Sequence, residues 1–143
     1  HKNYNRYSLS NFDGISIRPF SERKIKRSCL REISFLFRSF HYVVYSVLIN
    51  EANLKSVNIS KFYIFAEIWY EIITKTFLNS YFKNLESSLL LPESEKDRLL
   101  ILNILLLNKF FSSVNYELYR KSPELVIPLI GIKNILKNIE GEI

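Results

Sequence analysis

The sequence predicts a mostly α fold, one helical domain of about four main helices preceded by an irregular N-terminal arm. Three observations carry that expectation. Glycine and proline are scarce, 3 and 4 in 143 residues, and Leu, Ile, Lys and Glu recur between them, a composition suited to long helices and poor in turns. Apolar residues make up 48% and aromatic residues 15% of the chain, enough to bury a sizeable core. Over long stretches the apolar positions also recur at spacings of three and four, the period of a helix with one buried face.

Residues 1–28 contain Gly14, Pro19 and many polar side chains without a sustained period, so they read as an extended or irregular arm. Residues 29–143 read as the helical domain. From Leu30 to Ile49, the positions Ile33, Leu36, Phe37, Phe40, Val43, Val44 and Val47 form the stripe of a first helix. The polar stretch Asn50 to Asn58 reads as a loop. Ser60 opens a second helix reaching Leu85, with Phe62, Phe65, Ala66, Trp69, Ile72, Ile73, Phe77 and Tyr81 as its expected buried stripe. Pro92 marks a break, and Ser94 through Lys121 reads as a third helix, apolar nearly all round between Leu99 and Phe111 and therefore central. Pro123 and Pro128 bracket a connector before a terminal helix from Leu129 to Ile139, where Ile132, Ile135 and Leu136 keep helical spacing.

The single cysteine, Cys29, has no second cysteine for an intramolecular disulfide and no clustered His or Cys for a metal site, which fits a reducing cytoplasm. A buried, inert thiol is the expected state. The longest apolar run, Leu99 to Leu107, is interrupted by Asn103 and falls far short of the ~20 residues that span a bilayer. No N-terminal apolar segment reads as a signal peptide. The expectation is a soluble cytoplasmic protein with no membrane partner. The formal charge of +6 gathers at Arg18, Arg23, Lys24, Lys26, Arg27 and Arg31, whereas elsewhere Lys and Glu are mixed. Such a run can contact nucleic acid, but a solvated face or a set of ion pairs among Arg18, Glu22, Arg23, Arg31 and Glu32 is the preferred reading.

The segment Asn11 to Tyr42, NFDGISIRPFSERKIKRSCLREISFLFRSFHY, carries a more specific pattern. Phe12, Gly14, Arg18, Pro19, Glu22, Arg23, Lys26, Ser28, Leu30, Arg31, Arg38, Ser39, Phe40 and Tyr42 stand without a gap where maltokinases place D-F-E-G-x-x-x-R-P-x-x-E-R and the L-R-S-F-x-Y that follows. Ala66, Trp69, Phe77, Leu78 and Tyr81, then Tyr116-Glu117-Leu118 and Ile127-Pro128-Leu129 with Gly131, resemble later motifs of the same family in order and spacing. From Asn11 to Leu136 the chain is thus similar to the C-terminal lobe of a maltokinase, a kinase-like fold of the aminoglycoside phosphotransferase type often fused to trehalose synthase. That family phosphorylates maltose to maltose 1-phosphate with ATP and Mg²⁺, its ATP held by an N-terminal lobe that has no counterpart in this sequence.

The resemblance also assigns candidate site residues. The family's catalytic Asp position carries Asn3 and its metal-binding Gln position carries Ser8, if His1 to Ser8 is a remnant of H-G-D-x-H-x-x-Q; an unrelated start is the other reading. The D-F-E-G motif becomes Asn11-Phe12-Asp13-Gly14, so the metal-binding Asp is Asn11 and Asp13 replaces the Glu. An amide cannot take a proton from a sugar hydroxyl and is a poor exchange for a carboxylate at Mg²⁺. On the sugar side, Tyr116 matches a tyrosine near the disaccharide, with Ser112 one turn earlier and Lys133 or Asn134 near the family's basic contact; a core tyrosine is the equal alternative for Tyr116. Arg38 reads as structural and His41 as a surface or packed histidine.

Two functions follow from the resemblance. One is an incomplete, inactive or split maltokinase lobe, whose partner is a separate N-terminal kinase lobe or trehalose synthase and whose helices expose apolar side chains where that partner belongs. The other is a non-catalytic helical module that binds a maltose-type sugar or a protein partner.

Overall fold

The computed structural model describes residues 28–54, 60–85 and 91–140, together with Pro19 and Ser21. Among the described residues there are four α-helices, one 3₁₀ turn and no strand. Helix α1 spans Leu30–Leu54, α2 Ser60–Leu85, α3 Glu95–Arg120 and α4 Val126–Glu140, with the 3₁₀ turn at Pro123–Leu125 between α3 and α4. The mostly α architecture expected from composition and period is the one observed.

Local chemistry fixes the helix ends. Ser28 opens α1: its hydroxyl accepts from the Leu30 amide at 3.3 Å and its carbonyl from the Arg31 amide at 3.1 Å. Glu32 lies in that first turn, favourably placed at the positive end of the helix dipole. Ser94 caps α3 from an extended conformation, accepting from the Asp97 amide, with Glu95 and Asp97 in the first turn. Lys121 ends α3 in the left-handed region at φ 50°, where its amide returns to the carbonyl of Leu118. Next, Ser122 caps the 3₁₀ turn by accepting from the Glu124 amide at 3.1 Å.

Two boundaries differ from those the sequence suggests. Helix α1 continues through Asn50 to Leu54, because Glu51, Ala52 and Leu54 are good helix formers and no Gly or Pro intervenes. Helix α4 starts at Val126, so Pro128 does not close a connector. It lies in the first helical turn, where a missing N–H forfeits no intrahelical bond, and its side chain is buried.

Ring contacts give the helix directions. Phe37 meets Phe77, Phe40 meets Trp69 and Tyr45 meets Tyr63, so α1 and α2 run antiparallel. Across the other side of α1, Phe35 meets Lys109, Arg38 meets Ser113 and Tyr42 meets Glu117, so α1 and α3 run parallel. Helix α1 touches all three other helices, α4 packs on α3 and α1, and α2 rests chiefly on α1. One cluster joins Ile33, Phe37, Leu102, Leu106, Phe110 and Ile135; a second joins Tyr45, Ala66 and Ile127. The buried hydroxyls of Ser34 and Thr74 are satisfied within their own helices, donating to the Arg31 carbonyl at 2.6 Å and the Tyr70 carbonyl at 2.7 Å.

The expected stripes of α2 and α3 are corrected by this packing. On α2 the inward side chains are Tyr63, Ala66, Tyr70, Thr74 and Phe77, whereas Phe62, Trp69, Phe65 (67% exposed) and Ile72 (61% exposed) face outward. Val43 and Val47 of α1 are exposed beside them. Helix α3 is central in contacting both α1 and α4, yet Leu100, Ile104, Phe111 and Leu118 are exposed. A helix that is apolar all round needs neighbours on every side, and the described chain supplies them on only part of α2 and α3. By length and composition α3 would also suit a membrane span, a property shared by core helices of soluble proteins. Its buried face carries Ser113 and Glu117 against α1. Cys29, expected to be buried, is half-buried.

Gly131 is where α4 comes closest to α3: a Cβ built there would lie 2.5 to 2.7 Å from the ring carbons of Phe110. In an open helix, Gly→Ala gains about 1 kcal/mol of propensity. Here overpacking a ring that is 1% exposed costs about 1–3 kcal/mol. Gly131→Ala is therefore expected to lower stability by about 1 kcal/mol in urea denaturation, and in a Phe110→Leu background the same substitution is expected to cost nothing. An equal loss in both backgrounds would contradict the steric account.

Candidate functional site

The parallel seam of α1 and α3 leaves an open groove of about 200 Å³ lined by Phe35 and Arg38 from α1 and by Lys109, Ser112, Ser113 and Tyr116 from α3. The helical period explains the set. Residues 35 and 38 share one side of α1, while 109, 112, 113 and 116 share one side of α3.

The cations of the groove are positioned by aromatic rings. The Lys109 ammonium lies 3.6 Å from the centroid of Phe35, and the Arg38 guanidinium 4.2 Å from that of Tyr42. Arg31 approaches Phe35 at 5.7 Å and Arg120 approaches Tyr116 at 5.3 Å, so basic groups recur along the seam. Arg38 Nε also donates to Ser113 Oγ at 3.0 Å. Ser112 Oγ donates back to the Asn108 carbonyl at 2.8 Å, and the Tyr116 hydroxyl accepts from Arg120 at 3.4 Å.

Behind the groove lies Glu117, 2% exposed. Its Oε1 accepts from the Tyr42 hydroxyl at 3.4 Å, and its Oε2 has no hydrogen-bond partner among the described residues. Burial raises the Tyr42 phenol above its ordinary value, so at neutral pH it remains the donor that this carboxylate requires. Tyr42 thus places its hydroxyl on Glu117 and its ring under Arg38.

His41 is the second polar group of the interior, 1% exposed and enclosed by Tyr45, Tyr70 and Phe110 at ring centroid distances of 4.4, 5.3 and 4.9 Å. Neither ring nitrogen has a hydrogen-bond partner among the described residues. Burial lowers its pKa from 6.5 to about 4, so the ring is neutral at physiological pH. Of the two readings of His41, surface or packed, the structure places it in the core.

Tyr116, selected from sequence, lies at the groove with Ser112 one turn earlier and is exposed, which sets aside the core-tyrosine alternative. Lys133 is exposed on α4 and does not line the groove; Asn134, partly buried, does not line it either. Asn3, Ser8, Asn11 and Asp13 lie outside the described residues, as do Arg18, Glu22, Arg23, Lys24, Lys26 and Arg27. Arg38, read from sequence as structural, lines the groove as well. Its signal was the i, i+4 relation to Tyr42, which stacks a guanidinium on a ring of the next turn. Among the described residues no three His, Cys, Asp or Glu side chains converge as a metal site. Comparison with protein-family models, with curated proteins and with solved structures finds no match to this chain. The likeness to maltokinases rests on the residues quoted above.

The buried neutral His41 makes stability depend on pH in a definite direction. Because its folded pKa of about 4 lies below the unfolded 6.5, its neutral form is fully accommodated above pH 6.5, and stability is lost as pH falls from 6.5 through 4. The difference corresponds to about 3 kcal/mol. Comparing urea unfolding of the wild type with that of His41→Phe at pH 7 and pH 4.5 isolates this contribution. The variant should lose markedly less stability over that interval, and parallel curves would exclude a buried titrating His41.

Proposed function

We propose that this chain is a helical ligand-binding lobe, of the kind maltokinases use for their sugar, which holds a maltose-type sugar in the α1/α3 groove and does not transfer phosphate by itself. The observation that carries the reading is the meeting of Tyr116, selected for its place in the family pattern, with Arg38, Lys109, Ser112 and Ser113 around one groove. A phenol ring offers a face to a pyranose and hydroxyl and guanidinium groups hydrogen-bond its oxygens, the combination of apolar surface and a few polar groups that carbohydrate sites use. The substitution of Asn3, Ser8 and Asn11 at the family's base and metal positions supports the absence of phosphoryl transfer by this chain alone. In this reading ATP and Mg²⁺ belong to a separate lobe. Titration calorimetry with maltose is expected to give a saturable signal that Tyr116→Ala weakens about tenfold, with no signal from ATP. The absence of maltose binding by the folded protein would refute the reading.

A second reading, the split subunit, is favoured by the exposed apolar surface on α2 and α1. The Phe40–Trp69 ring contact joins the two helices, and the helical period places Val43 and Val47 beside Phe40, and Phe62, Phe65 and Ile72 beside Trp69. A contiguous face of this kind marks an association site in soluble proteins. Mixing the purified chain with a maltokinase N-terminal lobe or with trehalose synthase tests it. The expectation is a complex lost in Phe65→Glu and, with the kinase lobe, ATP-dependent phosphorylation of maltose. If neither mixture forms a complex, the chain is not such a subunit.

A further inference from the structure

Helix α3 has a buried face made of Leu102, Leu106, Phe110, Ser113 and Glu117. About a third of a turn away, on the side remote from Lys109, Ser112 and Tyr116, the helical period sets a second row: Leu100, Ile104, Leu107, Phe111, Val114 and Leu118. Leu100, Ile104, Phe111 and Leu118 are 49%, 57%, 57% and 54% exposed, while Leu107 and Val114 are partly buried. Steps of four and three residues alternate along the row, and Asn103, Asn108 and Asn115 border it. A narrow apolar row of this heptad spacing between polar flanks is the seam one helix offers to another. The row also reads alike from both ends. Its members pair about position 109 as 100 with 118, 104 with 114 and 107 with 111, and the next heptad positions outward are the exposed Asp97 and Lys121.

We propose that this row is a dimer interface whose occupant is α3 of a second copy of the chain, laid antiparallel. A two-fold axis at position 109 sets Leu100 beside Leu118, Ile104 beside Val114, Leu107 beside Phe111 and the Asp97 carboxylate beside the Lys121 ammonium, each pair occurring twice. A parallel pairing would oppose like charges at both ends and align the two helix dipoles. The antiparallel arrangement also suits a chain of net charge +6: from 99 to 119 the one basic residue is Lys109, which lies over Phe35 on the groove side. By length and composition α3 would suit a bilayer, but its face with Ser113 and Glu117 is bonded to α1, and asparagines line the exposed row. The interface is distinct from the sugar groove and from the α1/α2 surface, so it stands independently of both functional readings. A seam this short makes the dimer depend on concentration.

The test is sedimentation velocity of the full chain across a dilution series. The expected result is a concentration-dependent passage from the 17.0 kDa monomer to twice that mass. Ile104→Lys is expected to raise the dimer dissociation constant about tenfold or more. Asp97→Lys, which opposes Lys121 of the other copy with a like charge, is expected to raise it a few-fold, and adding Lys121→Asp to the same chain to restore it. Position 121 accepts that change because its left-handed backbone, φ 50°, is one that Asp tolerates. Phe65→Glu, on the α1/α2 surface, is expected to leave the dimer intact. Helical circular dichroism is checked first; should Ile104→Lys fail to fold, the charge reversal, which leaves the apolar row untouched, carries the comparison. A monomer at every concentration overturns the proposal, and one that floats with phosphatidylcholine vesicles makes α3 a lipid-facing helix instead. A dimer broken by Phe65→Glu and not by Ile104→Lys places the interface elsewhere and also overturns it. Failure of Lys121→Asp to rescue Asp97→Lys overturns the antiparallel pairing.

Discussion

The architecture depends on one ring. Phe110 of α3 sits edge to face with His41 of α1 and directly over Gly131 of α4, so a single side chain occupies the junction of three helices. Any Cβ at position 131 would move that ring, and moving the ring would disturb the histidine that Tyr45 and Tyr70 enclose. Close-packed interiors transmit such changes because they contain little free volume. The register of α3 between its neighbours is thereby tied to the register that sets Arg38 against Ser113 and Tyr42 against Glu117. Core and groove are two faces of the same alignment.

Much of the fold was legible because it follows from period and punctuation. Ser94 and Pro92 mark the start of α3 through chemistry that acts within a few residues, and α2 spans Ser60–Leu85 as its sequence suggests. The end of α1 and the start of α4 were less legible. Asn50 and Pro128 have two compatible readings each, and the surrounding helix formers and the first-turn position of the proline decided between them. Burial was least legible on α2. Its apolar residues surround the helix, so periodicity alone could not say which side meets α1, and the sequence reading chose Phe65 and Ile72 where Tyr63, Tyr70 and Thr74 turn inward. The groove was half visible. Tyr116 came from a pattern, whereas Lys109, Ser113 and the role of Arg38 required knowing that α1 and α3 lie parallel.

The polar groups of the interior divide into two kinds. Ser34 and Thr74 return their hydroxyls to the carbonyl of the preceding turn and place no demand on tertiary structure. Glu117 and His41 differ, since each is fully buried with at least one atom lacking a hydrogen bond among the described residues. Unsatisfied buried groups cost about 1–3 kcal/mol each, so apolar packing elsewhere has to offset them. In Glu117 that cost is attached to a residue supporting the groove; in His41 it is attached to the central aromatic cluster.

The parallel pairing of α1 with α3 also orders the assembly of the chain. Arg38 and Ser113, like Tyr42 and Glu117, are separated by 75 positions, so their contacts require closing a long segment. The contacts of α1 with α2 and of α3 with α4 join residues much nearer in sequence. Because chain entropy must be lost before distant contacts compensate for it, two local hairpins can form ahead of the seam that joins them. The groove, being made by that seam, exists only once the last and most distant of these pairings is complete.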